Sequence, residues 1–406
     1  MKILISSLQV SHGASKGHLH PAIEIGLELQ RRGHPVAILP LPSPFSKEDR
    51  KQIERCQFTI IEPPKLPKGL PLSPQKLEQL AKNPLTTAKA YYSFLVAPLE
   101  HQFEDVLQKI QDFKPDVIVY DLLVYASSLA ARLLNIPDIG YCAGLKLIAP
   151  SSLTGIYQSV RTELAPMLDD FLKKYSLAAQ FHHLELLSST YQLVFTPENF
   201  IKDKMQDHPP NTVFAGSLPI SPVRCDEIDL DINDKKNNVI LCFGSVLDPA
   251  NYPEITNLMI KMTNHFDCNL IISSRKPDSL PPANHVKTAR YLPLPKLLKK
   301  TSIFIHHGGA NTFSEALTIG VPQILIPLAT DQPIQAEFLR HSQAGIAIHP
   351  NDITEEKLYT AFQQLLNQDD PIHNRIKQIK ELFQESKGAA IASDLIEKIS
   401  ARGNHE

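Results

Sequence analysis

Short apolar runs alternate with longer mixed segments along almost the whole chain. Runs rich in Val, Ile and Leu that are too short for regular helices favour buried strands of parallel sheets. In the first half they cover residues 2–6, 36–41, 116–120, 191–196 and 213–215. In the second half they cover residues 239–243, 269–273, 303–307, 323–327 and 345–348. Helical segments between the runs predict an α/β fold with a doubly wound, Rossmann-like sheet in each half.

One segment without clear periodicity separates the two halves. Residues 219–238, PISPVRCDEIDLDINDKKNN, are rich in Pro, Asp and Asn, which is typical of a linker. We therefore expect an N-terminal domain at 1–218 and a C-terminal domain at 239–385. The last residues, 386–406, contain recurring apolar positions that are typical of a helix.

Composition narrows the class of protein. The 406 residues suggest two or three domains, and a hydrophobic share of 43% is enough for sizeable cores. A net charge of −2 argues against a nucleic-acid partner. Five Cys without paired spacing indicate a reducing compartment and disfavour a zinc site. The start, MKILISSLQV, lacks the features of a signal peptide, so we expect a cytoplasmic protein, with peripheral membrane contact left open.

The densest cluster of candidate chemistry is the run IFIHHGGANTFSEALTIGVPQILIPLATDQ at residues 303–332. A strand there ends at His307, and Gly308 and Gly309 let the backbone approach a ligand closely. The next segment, from residue 310 or 311 to 319, predicts a helix that Gly320 ends. Its N-terminus, with His307 as a further donor, suits an anion such as a diphosphate.

Acidic and amide side chains in the same run suit the hydroxyl groups of a sugar. Glu315 lies one turn into the predicted helix, where its carboxylate can accept hydrogen bonds from a ribose diol. Asp331 and Gln332 follow the next strand, at the crevice edge of an open sheet. The pocket therefore fits a nucleoside diphosphate with a sugar attached.

The letters H-G-G-A-N-T-F-S-E from His307, followed by G-V-P and D-Q-P-I-Q-A, resemble the donor-binding signature of the UDP-dependent glycosyltransferases. This superfamily includes plant secondary-metabolite, macrolide and carotenoid glycosyltransferases. The resemblance implies the GT-B fold, in which two Rossmann-like domains face each other across a cleft and the last helix returns to the first domain. It also implies an acceptor on the N-terminal domain and a nucleotide sugar on the C-terminal domain.

The resemblance assigns roles to particular residues. It implies that His307, Asn311 and Thr312 contact the diphosphate, Glu315 the ribose, and Asp331 with Gln332 the transferred sugar.

The chain departs from the family pattern at the residues that would contact the nucleobase. Where the family has a Trp and then a Gln, this chain has Tyr291 and Leu294, and it has no Trp at all. Tyr291 can still stack on a base, with less area than an indole. Ala310 replaces a bulkier residue, and Gln335 replaces the usual Asn.

A second motif, Gly17-His18-Leu19-His20-Pro21, lies between the first strand and a helix that we expect to run from Pro21 to about Arg32. It resembles the family's G-H-x-x-P element, which holds the catalytic His, and residues 32–34 match its R-G-H turn. Glycosyl transfer to a hydroxyl needs a base, and a His can accept that proton near neutral pH. His18 is therefore the candidate base, and Asp121 matches the family's partner Asp.

Other interpretations of this motif stay open. His12 and His20 are competing bases, Asp121 can instead cap the following helix, and His34 has a structural interpretation. The loop at 7–16 is longer than the family's, which leaves the register of His18 open. The three nearby His suggest a metal, but no hard or thiolate ligands lie beside them, so we expect none.

A third motif, Phe243-Gly244-Ser245, follows an apolar run. Its backbone and the Ser245 hydroxyl can touch a phosphate oxygen. Such turns end many α/β strands, so the motif alone is weak evidence for a phosphate site. It is assigned to the site because the family has F-G-S or a near variant at this place.

Together these residues predict an inverting glycosyltransferase with UDP-glucose as the first choice of donor and no cofactor beyond that co-substrate. Apolar residues in segments 66–92 and 142–175 favour a small apolar or lipid-like acceptor, unless they are core. A nucleotide-sugar 2-epimerase and a non-catalytic nucleotide-sugar-binding protein are the alternatives.

Overall fold

The computed structural model describes residues 1–10, 16–70, 72, 76, 80, 84–145, 147, 151–201, 208–220, 236–244, 247–328 and 331–403. The chain divides into two compact units. The first comprises Met1–Glu198, Lys202–Pro219 and Lys387–Glu406, and the second comprises Asn199–Ile201 and Ile220–Ser386.

The first unit is built on a parallel sheet. Its strands are β1 (Ile3–Gln9), β2 (Val36–Pro42), β3 (Thr59–Ile60), β4 (Val117–Asp121), β5 (Asp138–Cys142), β8 (Gln192–Val194) and β9 (Thr212–Phe214). Within the described residues they lie in the order β3-β2-β1-β4-β5-β8-β9, and the pairings are parallel. Two short strands, β6 (Phe181–His182) and β7 (Glu185–Leu186), form a separate antiparallel hairpin.

Helices connect these strands. They are α1 (Lys16–Arg31), α2 (Lys47–Arg55), α3 (Pro84–Leu95), α4 (Ala97–Phe113), α5 (Tyr125–Leu133) and α6 (Ser151–Lys174). Strands β1 and β4 are buried along their whole length, as expected for parallel strands covered on both sides.

The second unit repeats the plan. Its strands are β10 (Asn238–Cys242), β11 (Asn269–Ser273), β12 (Val286–Ala289), β13 (Ile303–His306), β14 (Gln323–Leu325) and β15 (Ile346–Ala347). Among the described residues their order is β12-β11-β10-β13-β14-β15, again with parallel pairings. Its helices are α7 (Pro253–His265), α8 (Leu294–Leu297), α9 (Ala310–Ile319), α10 (Gln332–Ser342), α11 (Glu355–Leu366) and α12 (Pro371–Gln384). The two sheets confirm the α/β, Rossmann-like prediction.

The start of α1 differs from the expectation. The helix begins at Lys16 and contains Pro21, whereas the sequence predicted a start at Pro21. A proline this near a helix start costs one backbone hydrogen bond without ending the helix. Strand β1 also reaches Gln9, so the predicted loop at 7–16 is shorter than expected and His18 lies in the first helical turn.

A short segment of the chain corrects the expected domain limits. Residues Asn199–Ile201 lie inside the predicted first domain but group with the second unit. Phe200 explains this, because its ring lies 5.5 Å from Phe338, 5.0 Å from Phe383 and 6.4 Å from Phe313, measured between centroids. Contacts among aromatic rings are favourable, so Phe200 anchors this short segment in the second unit.

The final helix, α13 (Gly388–Gly403), packs in the first unit against α1 and β4. Its first residue approaches the chain after β9 so closely that a Cβ on Gly388 would lie 2.6 Å from the carbonyl oxygens of Gly216 and Ser217. The Gly388 N–H donates to the Ser217 oxygen at 3.1 Å.

The two segments expected to hold the acceptor take different forms. Most of 142–175 is helix α6, and Leu145 and Leu147 are buried, so the core interpretation holds for them. Part of 66–92, and residues 221–235 of the predicted linker at 219–238, lie outside the described residues. In the described part of the chain, no helix combines the length and apolar character needed to cross a membrane.

Candidate active site

Both candidate sites lie where the strand order of a sheet reverses. In the first unit the reversal falls between β1 and β4, and in the second it falls between β10 and β13. Loops that leave neighbouring strands in opposite directions open a crevice at their carboxyl ends, and ligands of open α/β sheets bind there. His18 and Asp121 follow the first pair of strands, and Gly244 and His307 follow the second.

His18 and Asp121 form an ion pair or hydrogen bond at the first crevice. Nδ1 of His18 lies 2.7 Å from Oδ2 of Asp121. The imidazole is 29% exposed and the carboxylate only 2%. A carboxylate beside Nδ1 keeps the proton on that nitrogen, so Nε2 is the nitrogen positioned to accept one.

The second carboxylate oxygen of Asp121 fixes the side chain in place. Oδ1 accepts a hydrogen bond from the Leu123 N–H at 3.0 Å. Helix α5 begins at Tyr125 with Val124 as its N-cap, so Asp121 orders the turn before the helix and does not cap the helix itself. The Asp121 carboxylate thus bonds to the turn through Oδ1 and to His18 through Oδ2.

The competing histidines have other surroundings. His20 is 5% exposed, and its Nδ1 lies 3.5 Å from the Glu24 carboxylate in the interior. His34 contacts Glu397 of α13 at 2.9 Å, which fits its structural interpretation. His12 lies outside the described residues. His20 is buried and His34 bonds to the last helix, so among the described candidates His18 is the partly exposed His that faces a carboxylate at the sheet crevice.

The second crevice is shaped by helix α9. It has the predicted bounds, with Gly309 as N-cap and Gly320 in the left-handed region at φ 76°. The N-cap is a glycine, which has no side chain to bond the first turn. The N–H groups there and the helix dipole consequently favour an anion. Asn311 and Thr312, both partly exposed, occupy that first turn.

The His307 ring lies between two glycines. A Cβ on Gly244 would come within 2.7 Å of the ring, and one on Gly309 within 2.8 Å. Burial lowers the pKa of His307 to about 3, with a further contribution from His306 and partial opposition from the Cys242 backbone. The imidazole is therefore neutral near pH 7, and glycine at both positions is what gives the ring its space.

His306 was not singled out in the sequence, yet it organises the glycine turn. Its Nε2 lies 2.9 Å from Oε1 of Gln323, and its Nδ1 accepts from the Gly308 N–H at 3.1 Å. The ring stacks on Phe304 with centroids 4.6 Å apart. Burial lowers its pKa to about 4. A His at the end of an apolar strand, directly before a Gly-Gly turn, was the available signal.

The remaining predicted donor residues are placed by these elements. Glu315 is buried in α9, one turn after its start. Asp331 is the N-cap of α10 and accepts a hydrogen bond from Nε2 of Gln335 at 2.7 Å. The Gln332 side chain accepts from the Leu328 N–H at 2.7 Å, which holds its amide at the start of α10.

Two further predicted donor residues are Tyr291, for the nucleobase, and Ser245, for a phosphate. Tyr291 is partly exposed in the connection between β12 and α8. Ser245 lies outside the described residues, so only the Phe243-Gly244 part of the third motif is placed.

Asp248 is a second residue that sequence reasoning missed. It is 2% exposed and accepts hydrogen bonds from Ser274 Oγ at 2.8 Å and the Arg275 N–H at 2.9 Å. Burial opposes its ionisation, but these bonds and one from Ala250 N–H outweigh burial and lower the pKa of Asp248. Asp248 thus connects the loop after β10 to the loop after β11 by hydrogen bonds. Across the described residues, no three His, Cys, Asp or Glu side chains form a metal-binding group.

Comparison with known proteins gives consistent results. Residues 257–398 match the family described as "Erythromycin biosynthesis protein CIII-like, C-terminal domain". The NDP-glycosyltransferase YjiC of Bacillus licheniformis is 25% identical over 422 residues, with 95% of each chain covered. The solved glycosyltransferase of kitacinnamycin has a TM-score of 0.77 at 20% identity and 98% coverage of both chains. VinC, solved with dTDP, has a TM-score of 0.69 at 18% identity, covering 99% of this chain and all of VinC.

Proposed function

Since this chain belongs to the UDP-glycosyltransferase superfamily and is a glycosyltransferase of GT-B fold, we propose that it moves a hexose, first of all glucose, from a UDP-sugar to a hydroxyl of a small apolar acceptor. The observation that carries the proposed chemistry is the 2.7 Å contact between His18 and Asp121 at a sheet crevice.

The first part of the transfer step is proton removal. Nε2 of His18 accepts the proton of the acceptor hydroxyl as the oxygen approaches C1 of the sugar. Asp121 stabilises the imidazolium that forms, since its Oδ2 already faces Nδ1. Such base catalysis supplies roughly 10²–10⁴ in rate.

The second part of the step is departure of the nucleoside diphosphate. The acceptor oxygen forms its bond to C1 from the face opposite the diphosphate, the C1–O bond to the phosphate breaks, and the configuration inverts. The N-terminus of α9, with Asn311, Thr312 and neutral His307, would hold the leaving oxygens. Hydrogen bonds from a neutral imidazole and from backbone N–H groups would stabilise the negative charge on the departing diphosphate.

The remaining donor contacts set which nucleotide sugar binds. We assign Glu315 to the ribose, Asp331 with Gln332 to the sugar hydroxyls, and Tyr291 to the base. Gln335 supports this assignment because its bond to Asp331 orients that carboxylate. VinC binds dTDP, so a thymidine nucleotide is the competitor of UDP in any test.

The direct test measures UDP release from UDP-glucose with and without a pool of hydroxylated apolar acceptors, alongside dTDP-glucose. We expect release that requires an acceptor and a product of inverted configuration by NMR. His18→Ala and Asp121→Asn should each lower kcat at least about 10²-fold, while UDP affinity by calorimetry stays the same. His101→Gln, an exposed His of α4, is the control and should keep full activity.

The alternatives make different predictions for the same assay. Isomerised donor without any acceptor would indicate an epimerase and would overturn the proposal. Nucleotide binding with no turnover, unchanged by His18→Ala, would indicate a binding protein.

A further inference from the structure

His18 is held by three adjacent strands at once. The carboxyl ends of β1, β4 and β5 lie side by side, because β1 pairs with β4 and β4 pairs with β5. Asp121 on the middle strand contacts the His18 side chain. Residues on the two outer strands contact its backbone carbonyl instead.

The backbone contacts come from two buried hydroxyls. Tyr141 of β5 donates its phenolic O–H to the His18 carbonyl at 3.1 Å, and Ser7 of β1 donates to the same oxygen at 3.3 Å. Tyr141 and Ser7 are both fully buried. Gln9 donates to Ser7 Oγ at 3.3 Å, which orders the serine in turn.

The Tyr141 hydroxyl keeps the proton that it donates to His18. Burial and the neighbouring Asp121 carboxylate raise the pKa of its hydroxyl well above the usual range, so the proton stays on the oxygen. Tyr141 and Asp121 are direct partners in the β4–β5 register, so one rigid strand pair fixes both contacts to His18.

The first turn of α1 is where such support matters. Pro21 lacks an N–H, so the turn that carries His18 has one fewer backbone hydrogen bond than a regular helix. Hydroxyls from the sheet add bonds to that turn from outside. A displacement of about 1 Å at a catalytic group costs about 10² in rate, so holding the backbone has a catalytic consequence.

We propose that Tyr141 and Ser7 are positioning residues that fix the His18 carbonyl, and thereby the imidazole, against Asp121. The inference rests on the proposed function of His18 as the base. Neither hydroxyl takes part in the transfer itself.

The test uses the full chain with Tyr141→Phe, Ser7→Ala and the double variant. Tyr141→Phe keeps the ring and removes only the donor. We expect kcat to fall roughly tenfold in Tyr141→Phe, less in Ser7→Ala, and further in the double variant. KM for the donor and UDP affinity should stay unchanged, because no donor contact is touched.

Tyr120→Phe is the matched control. Tyr120 is an equally buried tyrosine on β4, but its hydroxyl donates to Asp138 and not to His18. Its removal should lower the thermal midpoint while the folded enzyme keeps its kcat. A Tyr141→Phe enzyme that likewise loses thermal stability but keeps its kcat would overturn the inference.

A second measurement separates this inference from the proposed function. The ¹⁵N signals of the His18 ring, identified by their loss in His18→Ala, report its hydrogen bond to Asp121 whether or not transfer occurs. We expect them to change in Tyr141→Phe and not in Tyr120→Phe. If the parent protein shows no transfer, the proposed function fails, while an unchanged His18 signal in Tyr141→Phe overturns the positioning role.

Discussion

Two buried histidines, side by side at the end of β13, give the second unit a defined response to pH. His307 has its pKa lowered to about 3 and His306 to about 4, each from 6.5. Both are neutral in the folded protein at neutral pH, and the unfolded chain takes up protons first as pH falls. Stability from these rings is therefore complete above about pH 6.5 and is lost toward the folded pKa values.

The lowered pKa values of these two histidines predict how stability changes with pH. Between about pH 8 and pH 5 each imidazole should remove about 2 kcal/mol from the free energy of unfolding of the second unit. His307→Asn should reduce that pH-dependent loss by about 2 kcal/mol. Urea unfolding followed by circular dichroism at both pH values measures it, and hydrogen exchange in β13 assigns it to this unit.

A matched variant checks the assignment. His341→Asn changes an exposed His on α10 of the same unit and should leave the pH dependence as it is. An unaltered pH dependence in His307→Asn would mean that the buried ring does not titrate as described.

Among the elements, helix α9 has a glycine at each end, and the two glycines are needed for different reasons. A Cβ on Gly309 would lie 2.8 Å from the His307 ring, which packs into the crevice. Gly320 ends the helix at φ 76°, and its Cβ would meet the flexible Lys380 side chain. We expect Gly309→Ala to lower UDP affinity by about tenfold, or about 1.4 kcal/mol, because the ring must move.

Gly320→Ala is the control for that prediction. It should cost about 1 kcal/mol of stability through its left-handed backbone, with UDP affinity unchanged. Calorimetric titration with UDP and thermal unfolding of both variants make the comparison. Equal loss of UDP affinity in the two variants would show that helix stability, and not the His307 ring, sets the affinity.

Sequence patterns predicted elements well where glycine and proline mark their ends. The bounds of α9 followed from the Gly-Gly turn before it and Gly320 after it. The start of α1 did not follow, because Pro21 suggested a first helical position while β1 and β5 hold an earlier turn through the His18 carbonyl. Such support joins residues far apart in sequence and leaves no local pattern.

Strand β5 was missed for a related reason. Its sequence, DIGYC, begins with a carboxylate that local patterns assign to a loop. In the fold, Asp138 is 3% exposed and accepts hydrogen bonds from Tyr120 and from Ser188 at 3.0 Å. The partners that make its burial favourable come from another strand and a later loop. The family resemblance already paired His18 with Asp121, whereas the contacts of His306, Asp248 and Tyr141 required the fold.

At the scale of the whole molecule, the R-G-H turn after α1 receives the last helix of the chain. Nη1 of Arg32 donates to Asp394 at 2.6 Å and to Glu397 at 2.9 Å, and Nη2 donates to the Ala390 carbonyl at 3.1 Å. The same turn supplies the His34 contact to Glu397. The likeness of residues 32–34 to the family turn thus has a structural explanation in the docking of α13.

Arg31 offers a neighbouring comparison for a prediction about this docking. Arg32 is 18% exposed and bonds to α13, whereas Arg31 is 71% exposed and bonds to Glu28 on its own helix. Arg32→Ala should lower stability by about 1–3 kcal/mol, because it removes the charge-assisted bonds to Asp394 and Glu397 and the bond to the Ala390 carbonyl. Arg31→Ala should leave stability nearly unchanged, because an exposed ion pair contributes little. Faster hydrogen exchange across 388–401 in Arg32→Ala alone would locate the loss at α13, and equal exchange in both variants would show that the helix docks through its apolar face without the arginine.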